Sequence, residues 1–216
     1  QFTILNAKKN MGILLDCENL KTKYINLDLG EYKLLLIDTN VKHNLASTEY
    51  NKRVIECKQS LKIINRVCNS IYSNLSQVKE IDLSLSKNKL GQTLYKRASY
   101  ILNENQRVMK SANFLENNKL KEFGQLMFES HLGLKNDYQV SCKELDFLVE
   151  KAKENDEILG ARMMGGGFGG CTINLIKESS INKFIEAIKE EYFSKFALAL
   201  KPIIANPDIG IQMKII

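Results

Sequence analysis

The sequence predicts an α+β fold, with helices packed on one face of a largely antiparallel sheet. Three observations predict it: short β-like apolar runs near both ends, long stretches of three-four apolar spacing between them, and a strand, helix and strand following a dense glycine cluster. With 216 residues and 44% hydrophobic content, the chain is long enough to bury one good core, as one large domain or a domain plus part of another. Only Pro202 and Pro207 interrupt it, and no Gly, Ser or Pro-rich stretch marks a flexible linker.

Two runs open the chain, Gly12 to Cys17 (GILLDC) and Tyr32 to Ile37 (YKLLLI), separated by turn residues around Asp28 and Gly30, and they read as neighbouring buried strands. After a polar loop, VKHNLAS, the series Val54, Cys57, Leu61, Ile64, Cys68, Ile71 and Leu75 has helical spacing, with Ser47 or Thr48 as the N-cap and Glu49 complementing the dipole. Further amphipathic helices follow at Ala98 to Ala112 and at Leu120 to Leu134. Another begins at Ser141, where Ser-x-x-Glu to Glu144 reads as a capping box, and it runs towards the glycines. Beyond them, CTINLI (Cys171 to Ile176) is a strand, and Ile181, Phe184, Ile185, Ile188 and Tyr192 form one helix face. A period of two at Ile209, Ile211, Met213 and Ile215 predicts a last strand.

The net charge of +6 does not point to nucleic acid, because 31 Lys and Arg are interleaved with 25 Asp and Glu without a basic stripe or exposed aromatics. Five cysteines, Cys17, Cys57, Cys68, Cys142 and Cys171, include no CxxC pair and fit free thiols in a reduced cytoplasm better than zinc ligation or disulfides. No apolar run has the length of a membrane span, so no membrane partner is expected. His43 and His131 are too far apart in sequence to suggest a metal pair, and ordinary packing hydrogen bonds are expected of each. Arg53, Arg97 and Arg162 are expected to pair with local carboxylates or carbonyls, without a chemical role.

Five of twelve glycines fall within six positions: Gly165, Gly166, Gly167, Gly169 and Gly170, broken only by Phe168. Such density permits positive φ at successive residues and lets a backbone or ligand come within contact. Gly165, Gly167 and Gly170 satisfy G-x-G-x-x-G, but the dinucleotide fingerprint needs a strand before and a helix after, whereas a helix before and a strand after are expected here. A P-loop also fails, because Cys171 and Thr172 stand where Lys and Ser or Thr are required. On the residues alone, a tight turn without ligand and a loop close to phosphate both remain open.

The run GARMMGGGFGGCTINLI, residues 160 to 176, closely resembles the third signature motif of the GHMP small-molecule kinases in its galactokinase form. TNVKHNLASTEYNKRVIEC, residues 39 to 57, resembles the galactokinase segment with a sugar-contacting tyrosine, which falls on Tyr50. FGQLMFESHLGLKNDYQVSCKELDFLV, between them, follows the same pattern, so the resemblance covers nearly the whole chain. It implies a GHMP-kinase-like fold, with residues 1–38 as a remnant of the N-terminal (ribosomal S5 domain 2-like) domain and 39–216 as the C-terminal domain. Gln1-Phe2 look like the end of the family's Gly-x-Met-Asp-Gln-Phe segment, whose aspartate is the catalytic base. The chain opens without Met, as a processed product, an expressed domain or a fragment of a longer reading frame would.

In the intact protein the resemblance implies ATP-dependent phosphorylation of the C1 hydroxyl of α-D-galactose, a step of galactose metabolism. ATP and Mg2+ ligands, a catalytic arginine and the sugar signature are expected mostly upstream, in the missing N-terminal domain. No catalytic or metal-binding residue is expected on this chain, and the chain alone is expected to be inactive. Tyr50 is implied as the substrate contact, and Gly165, Gly166, Gly167, Gly169 and Gly170 as a buttress for the nucleotide loop. Met164 departs from the hydroxyl residue of many relatives. Alternatives are a non-catalytic sugar and ATP sensor, or a kinase for N-acetylgalactosamine or another hexose. A chain parted from its other domain is expected to expose apolar surface and to be marginally stable or to associate.

Overall fold

The computed structural model describes residues 2–41, 46–208 and 210. A short helix, α1 (Phe2–Asn6), precedes a hairpin of β1 (Met11–Leu15) and β2 (Thr22–Asn26), which forms a two-stranded sheet of its own. β3 (Tyr32–Asp38) leads into α2 (Ala46–Cys68), α3 (Glu80–Glu116), which is broken by a kink at the non-helical Gly91 (φ 65°, ψ 178°), and α4 (Leu120–Gly133), and then a π-helical turn at Leu134–Tyr138. The chain continues through α5 (Lys143–Lys153), β4 (Ile158–Met163), β5 (Cys171–Lys177), α6 (Ile181–Phe196) and β6 (Lys201–Ala205). The second sheet is antiparallel throughout, in the order β4-β5-β3-β6.

Alternation along β3 sends Leu35 and Ile37 into the main core, where they meet Ala161 and Ile176 from the sheet and Leu148, Phe184, Ile188 and Tyr192 from α5 and α6. A second core joins α2 to α3 through Ile64, Leu90, Ala98 and Leu102. Helix α4 lies on β4 at backbone contact: a Cβ on Gly124 would sit 2.2 Å from the Leu159 carbonyl oxygen, and one on Gly160 2.3 Å from the Gly124 oxygen. No helix among the described residues is long and apolar enough to cross a membrane.

The α+β expectation of helices on an antiparallel sheet holds, and several element readings are corrected. Gly12–Cys17 and Tyr32–Ile37 are not neighbours, because β1 pairs with β2 while β3 is flanked by β5 and β6. A division after residue 38 would therefore part β3 from both of its partner strands. Helix α2 includes Ser47 and Thr48 rather than being capped by them. It stops at Cys68, where Asn69 turns left-handed (φ 48°), leaving Ile71 exposed and Leu75 in a 3-10 turn.

The residue before α5 is Cys142, and Ser141 donates its hydroxyl to Asp146 Oδ1 at 2.6 Å instead of forming the expected capping box. A strand, β4, precedes the glycines where a helix was expected. β6 accommodates Pro202 because it is an edge strand, where a missing N–H is tolerated. The strand predicted from Ile209 to Ile215 lies outside the described residues apart from Gly210, as does His43.

Candidate functional site

The glycine cluster is the loop of the β4–β5 hairpin. Positive φ occurs at Gly165, Gly167, Phe168, Gly169 and Gly170. Its two halves differ in surroundings. A Cβ on Gly165 or Gly166 would have no atom within 4 Å, and both residues are exposed. A Cβ on Gly167 would lie 2.1 Å from the Val140 carbonyl oxygen, which also accepts the Phe168 N–H at 2.8 Å. The far side is held by Thr39, whose backbone N–H (2.9 Å) and hydroxyl (2.8 Å) both donate to the Gly170 carbonyl. Tyr192 in turn donates its buried hydroxyl to the Thr39 carbonyl at 2.8 Å. The loop thus has an open tip and pinned shoulders.

Phe168 takes φ 60°, a conformation side chains resist, and is held there by packing against the cluster of Tyr100, Leu134, Val140, Leu145 and Met163. Val140 is presented by Gln139, itself left-handed (φ 55°, ψ 54°) where the π-helical turn ends. Arg53 of α2 grips that turn: its Nε donates to the Tyr138 carbonyl at 2.7 Å and its Nη2 to the Gln139 carbonyl at 2.9 Å. Tyr50, one turn earlier on α2, is 55% exposed. The helix that carries Tyr50 is thus linked to the shoulder of the glycine loop through Arg53 and the turn at residues 138–140.

Residues 111–194 match the family model described as GHMP kinases C terminal. This segment is a GHMP kinase C-terminal domain. Around that domain, the chain is 41% identical over 196 residues to a galactokinase of Clostridium acetobutylicum, covering 90% of this chain and 50% of that protein. It is 40% identical over 198 residues to one of Thermosipho africanus, covering 92% of this chain and 54% of the relative. The structure of Lactococcus lactis galactokinase complexed with galactose superposes with a TM-score of 0.90 at 30% identity, over 97% of this chain and 54% of that one. L. major mevalonate kinase shares the fold at a TM-score of 0.54 and 19% identity. The chain spans about half the length of the curated relatives it matches.

Within the GHMP kinase C-terminal domain and its neighbours, the buried ion pairs had no signal in the sequence as a network. Glu56 accepts from both Arg53 (3.1 Å) and Arg97 (2.8 Å). Burial pushes the Glu56 carboxyl up, but the hydrogen bond and charge of Arg97, and then those of Arg53, outweigh it and hold the group below the ordinary range. The expectation that Arg53, Arg97 and Arg162 serve carboxylates and carbonyls fits this arrangement, Arg162 pairing with Glu104 at 3.2 Å. His131 is buried: its Nδ1 accepts the Met163 N–H at 3.2 Å, and its Nε2 faces Asp146 Oδ1 at 3.2 Å, a contact without good hydrogen-bond alignment. A cavity of ≈ 390 Å³ beside Met164 is lined by Val108, Leu115, Leu126, Met127 and Ile173.

Proposed function

We propose that this chain is the C-terminal half of a galactokinase, which in its whole form transfers the γ-phosphoryl group of ATP to the C1 hydroxyl of α-D-galactose. The observation that carries the reading is the likeness, over nearly all of this chain, to a galactokinase solved with galactose, together with about 40% identity to galactokinases at matching extents. The two-part organisation is included in the proposal, with β3 counted to the C-terminal sheet because both its edges pair there.

The roles follow from position. Tyr50 offers its exposed phenol to a sugar hydroxyl, with the opposite wall of the sugar pocket supplied by the other half. Gly165 and Gly166 leave room for a nucleotide or the upstream phosphate loop, while Gly167, Gly169 and Gly170 hold the tip in place. The exposed, Cβ-free tip fits ATP as a wall rather than as a cradle of donors. Mg2+ ligands are assigned mostly to the other half, and no step is routed through them here. Phosphoryl transfer rests on positioning and charge stabilisation, and the base that orients the C1 hydroxyl is assigned immediately before Gln1. Free thiols at all five cysteines accord with a cytoplasmic location.

The test is ADP release by the full-length protein with galactose, N-acetylgalactosamine and glucose in turn. Galactose-dependent turnover, absent from this chain alone, is the expected result. Preference for N-acetylgalactosamine would reassign the sugar. A full-length protein that binds sugar and ATP but transfers nothing would overturn the enzyme reading in favour of a sensor.

A further inference from the structure

The geometry points to Arg53 and Arg97 as positioning residues that set the glycine loop for the nucleotide and tie it to the helix carrying Tyr50. This assignment rests on the galactokinase reading above. Both guanidinium groups are buried, at 5% and 3% exposure, around the single carboxylate of Glu56, itself 8% exposed. Glu49 gives Arg53 a second, looser partner at 3.4 Å.

The other hydrogen bonds of the two guanidinium groups go to protein acceptors. They converge on one short segment, residues 137–139. Arg53 spans the Tyr138 and Gln139 carbonyls, and Arg97 donates to the Asp137 carbonyl and, at 2.7 Å, to Gln139 Oε1. Burying two cations beside one carboxylate is costly unless every donor finds an acceptor, and here the acceptors are mostly backbone carbonyls whose position is thereby fixed.

What that segment does next makes the arrangement more than local packing. Gln139 is forced left-handed without being glycine, and this directs the Val140 carbonyl at the Phe168 N–H and against Gly167. One continuous path therefore runs from Tyr50, through Arg53 three residues on, through Gln139 and Val140, to the shoulder of the glycine loop. Only arginine serves at position 53, because a lysine ammonium cannot reach two carbonyls and a carboxylate in one plane. In phosphoryl transfer the two substrates must be held in line, and a path between the sugar-side helix and the nucleotide-side loop fixes their separation.

The experiment uses the full-length protein and its Arg53→Lys variant, with hydrogen exchange at the Phe168 amide, ATP affinity by calorimetry, and steady-state kinetics. The expected result is exchange at Phe168 faster by about ten-fold and ATP binding weaker by about ten-fold. The galactose KM should stay within about two-fold, because Tyr50 keeps its helix. A lowered melting temperature with Phe168 exchange and ATP affinity unchanged would overturn the proposal, since a merely structural role predicts that result.

If Arg53→Lys does not fold, Gln139→Gly decides. Glycine suits the left-handed position and removes only the acceptor for Arg97, and the same two readouts should move in the same direction by about two- to five-fold. No change in either would overturn the proposal. Exchange at Phe168 reads the clamp whether or not the protein phosphorylates galactose, so an inactive wild-type protein would contradict the function alone.

Discussion

Gly166 and Gly167 are adjacent in the same loop, yet different forces act on them. Gly166 faces open space without a positive φ, so Gly166→Ala should change stability by less than about 0.5 kcal/mol. Gly167 combines φ 87° with the Val140 carbonyl at 2.1 Å from any Cβ, so Gly167→Ala should cost about 2 to 4 kcal/mol, and the larger Gly167→Val should also impair ATP use. Thermal denaturation of both variants checks the contrast. Tyr50→Phe in the full-length enzyme should weaken the use of galactose by roughly ten-fold, the worth of one hydrogen bond in a dry pocket, with ATP binding unchanged.

Asp146 supplies a pH prediction. Burial raises its carboxyl, but His131, Ser141 and Lys135 outweigh burial and lower it from the ordinary 3.8. A carboxyl lowered on folding contributes stability above its unfolded value and loses it as pH falls through the lower folded value. Asp146→Asn should therefore flatten the acid limb of the stability curve below about pH 4, read by urea midpoints across that range. A limb of unchanged steepness would contradict the role.

At the scale of elements, the sharpest constraint is the crossing of α4 on β4 at Gly124 and Gly160. Alanine at either position must push two backbones apart, so Gly124→Ala should destabilise by several kcal/mol, roughly 3 or more, in chemical denaturation. This crossing also explains what could be read in advance. β3, β5 and α6 carry their own period in contiguous residues: the two strands were legible to within about one residue, and the face of α6 from Ile181 to Tyr192, though the helix runs on to Phe196. β4 was not, because ILGARM is broken by a glycine required by a distant helix. The end of α2 was missed because apolar spacing continues past Asn69, whose left-handed turn outranks it.

The site was legible in the same uneven way. The glycine density signalled a loop that something approaches, and Val140 is one such approach. The clamp was invisible because Arg53 and Arg97, gathered by Glu56, donate to backbone carbonyls, which leave no mark on residue type.

At the scale of the whole molecule, Leu5, Leu20, Ile203 and Ile204 are exposed, and the apolar cavity beside Met164 opens between α3, α4 and the β1–β2 hairpin. Such surface, with one wall of each proposed pocket missing, predicts that this chain alone associates in size-exclusion runs. It also predicts that galactose shifts the melting temperature of this chain by less than about 1 °C, while the full-length protein is stabilised in proportion to its affinity. A compact monomer stabilised by galactose would contradict both.

The most direct measurement is a crystal structure of the full-length protein with galactose and a non-hydrolysable ATP analogue. The account predicts the Tyr50 Oη at about 2.7 to 3.2 Å from a galactose hydroxyl, and the Gly165–Gly166 backbone facing the nucleotide side of the cleft. Galactose bound roughly 6 Å or more from Tyr50, with the glycine loop turned away from the nucleotide, would contradict it.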